Sequence, residues 1–305
     1  MFTGIPIILA VLAVVLVGYG LSRSSLTGPE FWAGASRVGY WVLFPVLLFR
    51  TIVGMDAPAE TIWPLLYVLL SGLALITIIM ALASWIWRLE SSAIGCVLQG
   101  SFRHNGFVAL AVVQGLYADV GLALAAIAIS VLVPPSNVLA VVVMALTNSR
   151  RPDNLGRYII KEIVRNPLII AIVLALLMRG FSLSIPPVLD EASELLAQSA
   201  LTFMLLTVGA GLRFSALAGH LPAILLATGA KLLIFPSLLV AGGLIAGLPA
   251  QTITILAVFG AVPTAASSFT LAQEMQGDAP LMADIIMLQT LLCIPGLIIW
   301  IWLLG

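Results

Sequence analysis

Charge is what this 305-residue chain has least of: 13 Lys and Arg, 13 Asp and Glu and two His, so that 9% of residues are charged and the net charge is zero. Soluble domains average about 25% charged residues, because a water-facing surface has to be covered with polar groups. With 62% hydrophobic residues and a mean hydropathy of +1.19, the chain lacks the polar side chains to cover a globule of its size. A soluble enzyme and a disordered protein are excluded. Basic residues cluster in one short stretch only, too few to neutralise a run of phosphates, so nucleic acid is not a partner. Cysteine is as scarce: Cys96 and Cys293 lie in apolar stretches and match no metal-ligand spacing, and no cofactor motif is present. The first apolar run has no basic residue before it and Arg23 after it, the reverse of a secretory signal. It is expected to be a membrane span retained in the mature protein.

What is abundant is long apolar runs. A helix needs about 20 mainly apolar residues to cross a ~30 Å hydrocarbon core. Backbone facing lipid must be hydrogen-bonded within itself, so spans are helices or closed barrels. The runs here do not alternate with period two, which predicts helices. The reading is an all-α integral membrane protein of ten spans, near 4–22, 32–53, 62–87, 92–117, 120–147, 166–182, 195–214, 221–246, 251–273 and 281–304. The one substantial hydrophilic segment, 147–165, carries Arg150, Arg151, Arg157, Lys161 and Arg165. Basic residues stay on the cytoplasmic side. With that segment inside, Arg23, Arg88 and Arg213 also fall inside, and only Arg50 and Arg179 fall outside. The outer connections hold Asp56, Glu60, Asp119, Asp190, Glu191 and Glu194. The expectation is a multi-pass cell (inner) membrane protein, surrounded by the lipid bilayer, with both termini outside.

Five spans on either side of the loop make the halves antiparallel, the inverted-repeat plan of many secondary transporters. The repeats are 1–149 and 166–305, joined by 150–165. Asp119 and Pro135 in the first half are answered by Asp278 and Pro295 in the second, and the 159-residue offset carries His104 onto Pro263. Span four places Arg103, His104, Asn105 and Gly106 near its middle. A mid-bilayer Arg costs roughly 2.5–3.5 kcal/mol on insertion scales, and Asn-Gly is a poor helical pair. This predicts a broken helix whose ends form a polar site. The alternative is a misplaced boundary, with Arg103 snorkelling to the cytoplasmic face and His104 a packing residue. Span nine has Pro263 with Gly260, Thr264, Ser267 and Ser268 around it, which is either a second break facing the first or an ordinary proline kink. Asn137, beside Pro134 and Pro135, lines the cavity or caps a kink. Gln289 and Thr290 in span ten pose the same question. Lys231 is a counter-charge, a snorkelling residue or a partner to a carbonyl. The tryptophans are read as interfacial anchors.

Spans four, five and nine have no carboxylate in their interiors, whereas cation antiporters rely on one. Their polar set is made of donors, and helix N-termini add positive potential. That suits an anion.

These strings resemble the auxin efflux carrier family: VRNPLIIAIVLALLMRG, SIPPVLDEASELLAQSALTFMLLTVGAGLRF, KLLIFPSLL, AVPTAASSFTLAQEM and QGD in the second half, FRHNGFVALAVVQGLYAD and PPSNVLAVVVMAL in the first. The resemblance implies a fold like that of bile-acid sodium symporters and sodium–proton antiporters. It implies a scaffold of spans 1, 2, 6 and 7, a transport domain of spans 3–5 and 8–10, and discontinuous spans 4 and 9 that cross. It also implies carriage of organic anions such as auxin, malonate or malate by an elevator-like motion, and a homodimer through the scaffold. Two departures stand out. Ala109-Leu110-Ala111 lies where a Gly-hydrophobic-Pro string is usual, and Thr202 or a neighbour where span seven often has proline.

The resulting expectation is a secondary carrier of a small organic anion, with substrate-binding residues Arg103, His104, Asn105, Gly106, Asn137, Pro263, Thr264, Ser267 and Ser268 and no metal. Alternatives are a sodium-coupled symporter of a larger organic acid, a channel, or an intramembrane enzyme. The last lacks a second intramembrane His, an HExxH cluster and a GxSxG string.

Overall fold

The computed structural model describes residues 4–55, 59–147, 154–213 and 220–304. Arg150, Arg151 and Asp56, which entered the charge bias, lie outside the described residues. Among the described residues there is no strand. The helices are α1 Gly4–Arg23, α2 Pro29–Val53, α3 Ala59–Ile86, α4 Ser91–Phe102, α5 Gly106–Thr147, α6 Leu155–Val164, α7 Pro167–Gly180, α8 Pro187–Ala210, α9 Leu221–Ile245, α10 Ala250–Ala261, α11 Ser267–Glu274 and α12 Ala279–Leu304. Among the described residues, seven helical stretches are long and apolar enough to cross a membrane. One of them, the 57 residues of Ser91–Thr147, joins α4 to α5, and two shorter apolar helices are Pro167–Gly180 and Ala250–Ala261.

Helix limits depart from the sequence reading in two places. α8 starts at Pro187 rather than 195, because proline suits the first helical position and Asp190, Glu191 and Glu194 favour the positive N-terminal end. The hydrophilic connection contains a helix of its own, α6, begun by Asn154, whose side chain accepts from the Arg157 N–H at 2.9 Å. α5 is two helices that meet at Ala118 (φ 50, ψ −140), at the point where the sequence separates spans four and five. A non-glycine residue at positive φ is strained and persists only where its surroundings hold it.

α2 and α9 each contain one wide π-helical turn, Gly39–Leu43 and Ala230–Ile234. Each is followed by Phe-Pro, at Phe44-Pro45 and Phe235-Pro236. A proline cannot donate to the carbonyl four residues back and its ring crowds that carbonyl, and a wide turn absorbs the misfit. In α9 the carbonyl so released is Leu232 O, which accepts from Trp300 Nε1 of α12 at 3.0 Å. Trp300 is therefore an interhelical donor. Trp63, Trp85 and Trp302 are exposed, as anchors are.

Packing sorts the helices. α1 and α2 pack on α8, and α2 also on α7; α4 is enclosed by α3, α5, α9 and α12, and α10 by α9, α12 and α5. Large apolar residues that face outward include Leu9, Leu16, Tyr67, Ile78 and Ile245. α4 from Gly95 to Phe102 and α10 from Thr252 to Ala261 are buried on every side. α1 and α8 approach backbone to backbone: a Cβ at Gly209 would collide with the Val15 carbonyl, and one at Gly18 with that of Leu206. Glycine is required there. At the far end of α2, Arg50 pairs with Asp190 (2.6 Å) and Glu194 (2.7 Å) of α8. Arg179 of α7 donates to the carbonyls of Ile52 (3.3 Å), Val53 (3.1 Å) and Met55, the C-terminal end of α2 where cations are favoured. The two basic residues that ran against the charge bias thus tie α2 to α7 and α8.

Gly209→Val is expected to cost ~3 kcal/mol or more, since the clash is with backbone, whereas Gly20→Ala, with nothing within 4 Å of the new methyl, should stay within about 0.5 kcal/mol. Thermal melts of the two purified variants check this, and equal melting temperatures would refute the close-approach account.

Candidate functional site

Two helices stop inside the core. α4 ends where Arg103 turns extended (φ −67, ψ 147), and α10 ends where Val262 does the same (φ −70, ψ 154). Each stop leaves backbone groups that lose their helical partners in a dry environment, where an unpaired group costs several kcal/mol. The stops satisfy one another. Asn105 N–H donates to the Pro263 carbonyl at 2.8 Å. Thr264 Oγ1 donates to the Gly100 carbonyl, in the last turn of α4, at 3.0 Å. Gln289 of α12 completes the exchange: its Oε1 accepts from Thr264 N–H at 2.9 Å, and its Nε2 donates to Gly100 O at 2.7 Å and to Ala227 O at 3.3 Å. Asn105 also begins α5, its Oδ1 accepting from Phe107 N–H (3.2 Å) and Val108 N–H (3.3 Å) as an N-cap.

Arg103 leaves this junction sideways. Its Nη1 donates to Gln99 Oε1 at 3.1 Å, and Nη2 donates to Asn137 Oδ1 at 2.9 Å and to Ser267 Oγ at 3.0 Å. The residue is 8% exposed and forms no ion pair among the described residues. Its hydrogen-bond partners among the described residues, Gln99, Asn137 and Ser267, are neutral. Gln99, which accepts from Arg103, has a donor with nothing to donate to, its Nε2 being buried and unpartnered, and so is the hydroxyl of Ser268, the residue after Ser267. Ser267 and Ser268 open α11, whose N-cap residue Ala266 offers no side-chain cap; the Ser268 and Phe269 N–H groups donate to the carbonyls of Ala265 (3.0 Å) and Ala266 (3.1 Å).

The sequence-named residues therefore separate into three groups. Arg103, Asn137 and Ser267 are joined by hydrogen bonds, with Ser268 beside them. Asn105, Pro263 and Thr264 hold the two breaks together. His104 points elsewhere: its ring lies edge-on to Phe259 of α10 at 5.8 Å, and neither ring nitrogen makes a hydrogen bond of normal geometry. Gly106 packs close to Ile129, 3.1 Å from where its Cβ would sit, so it is a packing position. Gln99 received no role from sequence. The available signal was its place four residues before Arg103, on the same face of α4. The question left open for Lys231 has an answer: it is fully buried and donates to the Phe259 carbonyl at 3.3 Å. Thr290 bonds back to Ile286 O at 2.7 Å.

Asn137 also lines a narrow crevice with Pro134, Val138, Ile163, Asn166 and Ile169, between α5, α6 and α7. A second narrow cavity is apolar and lies between α1, α8, α5 and α12, with Val15, Val112, Val208, Pro263 and Leu297 among its walls. No group of three or more His, Cys, Asp or Glu is placed to hold a metal among the described residues.

A family model described as membrane transport protein matches residues 135–301. The chain belongs to the auxin efflux carrier family of membrane transport proteins. It is a multi-pass membrane transporter. No curated protein matches it. The matched range includes Asn137, Pro263, Thr264, Ser267 and Ser268 and leaves Arg103 to Gly106 outside it.

Gln289→Leu is expected to lower stability by about 1–3 kcal/mol, because it strands the buried Thr264 N–H, while Thr290→Val, which removes only a local back-bond, should cost under about 0.5 kcal/mol. Denaturant or thermal unfolding of both variants checks the contrast. An equal effect would mean that the Gln289 bridge does not hold the breaks.

Proposed function

We propose that this auxin efflux carrier family member is a secondary carrier of a small organic anion, a carboxylate, bound by Arg103 together with Asn137, Ser267, Ser268 and Gln99. The observation that carries the reading is a buried guanidinium with only neutral partners. Removing a charge from water without a counter-charge costs several kcal/mol, and such intramembrane charges mark substrate pathways. An incoming carboxylate supplies the missing charge, takes charge-assisted hydrogen bonds from the fork, and finds the orphan donors of Gln99 and Ser268. Asn105, Pro263 and Thr264 then act as the frame that holds the donors in place.

The reading extends to how the carrier moves. The ten spans form a 5+5 inverted repeat, with α4 continuing into α5 and α10 into α11 as discontinuous spans four and nine that cross. His104 and Pro263, one repeat apart, flank the hydrogen bond between the breaks, which supports this. The packing of α1, α2, α7 and α8 among themselves supports a scaffold of spans 1, 2, 6 and 7, against which the remaining spans carry the substrate by an elevator motion. The crevice beside Asn137 gives the anion its route from the side of α6, the cytoplasmic side if the basic connection is inside.

Purified protein, melted with a panel of mono- and dicarboxylates with and without sodium, tests the reading. A ligand at 100 times its Kd adds about 2.7 kcal/mol to stability, so one carboxylate should raise the melting temperature. Arg103→Gln should weaken that ligand by about 10- to 100-fold, the ~1.5–3 kcal/mol of hydrogen bonds to a charged group, and Arg103→Lys should fall between, having the charge without the fork. Stabilisation by cations or neutral solutes alone, or an Arg103→Gln response equal to wild type, would overturn it.

A further inference from the structure

Beyond the anion site, a second buried cation has no place in the carboxylate reading. Lys231 is 0% exposed. Its Nζ donates to the carbonyl of Phe259 at 3.3 Å and sits 4.7 Å from the ring centre of Phe235. It forms no ion pair among the described residues. A lysine this deep is normally paired with a carboxylate. What surrounds this one is instead the equipment for a bare monovalent cation: a main-chain carbonyl and an aromatic face.

The position of each part is specific. Phe259 lies in the last turn of α10, so its carbonyl belongs to the negative end of a helix that stops in mid-core. Carbonyls at such interrupted helix ends coordinate coupling cations in secondary transporters. Lys231 itself lies in the wide turn Ala230–Ile234, a local geometry that recurs at functional sites. The His104 ring, on the other break, packs against the same Phe259. The ammonium therefore stands where the end of one broken helix meets the residue at the break of the other.

We propose that Lys231 is a tethered cation: its ammonium permanently occupies a monovalent-cation site at the carboxyl end of α10, so that the transporter completes its core without sodium or another diffusible ion. The negative helix end is neutralised by a side chain that travels with the protein. A shorter side chain at 231 would reopen the site to a small cation of the same chemistry, including an alkylammonium that restores the lost group.

The test uses purified full-length protein and no carboxylate, so it is decided independently of the anion site. Melting temperatures are compared in sodium, potassium, ethylammonium and choline chloride at equal ionic strength. Wild type is expected to melt alike in all four. Lys231→Ala is expected to melt about 3 °C or more lower in choline chloride and to regain at least half of that loss in ethylammonium or sodium chloride, with choline too bulky to enter. Lys231→Ser, which makes the same room, serves if the alanine variant does not fold. A sodium-specific rise in wild type would overturn the proposal, since the molecule would then hold a vacant cation site. Recovery of the variant that is equal in choline, or absent in every salt, would overturn it as well.

Discussion

The exchange of backbone hydrogen bonds between two interrupted helices is the constraint on which the rest of this molecule depends. Lipid supplies no partner for a free N–H or C=O, so a helix stops in the interior only where protein finishes its last turn. Here Asn105 N–H bonds Pro263 O, and Thr264 and Gln289 bond Gly100 O. None of these groups can be withdrawn without stranding another. The broken segments are consequently surrounded on all sides, α4 and α10 being the most deeply buried helices, and the side chains at the stops are held in fixed directions.

Those directions are unequal. At the start of α5, Asn105 serves as its own cap, and the helix end is spent. At the start of α11 there is no such cap, and a guanidinium and two serines gather there instead. The two ends where helices stop differ as well: Gly100 O in α4 is met by neutral donors, Phe259 O in α10 by an ammonium. The junction thus has one positive group without an ion pair among the described residues on either flank, with distinct neighbours.

Much of this was legible in the residues. Low charge and long apolar runs gave the all-helical membrane character, and Arg103-His104-Asn105-Gly106 and Pro263 marked the places where helices stop, because those residue types cannot continue a helix cheaply in lipid. Side-chain direction was not legible. Adjacent Arg103 and His104 leave an extended segment on different sides, so the former reaches Asn137 and Ser267 and the latter reaches Phe259. Nothing in a linear pattern distinguishes them. Gln99 and Gln289 were under-read for a related reason: an amide's role depends on which main-chain groups a distant break exposes. The start of α8 was misplaced because its acidic first turns look like a loop by hydropathy alone, although negative charge at that helix end is favourable.

Pro236 has an effect out of proportion to its size. By withholding one N–H it leaves the Leu232 carbonyl to be claimed by Trp300, near the far end of the last helix. The consequence is mechanical: the closing segment of the chain is latched to α9 at a height set by a missing hydrogen, so rotation of one about its axis must drag the other, and the turn carrying Lys231 is gripped from outside as well as from within.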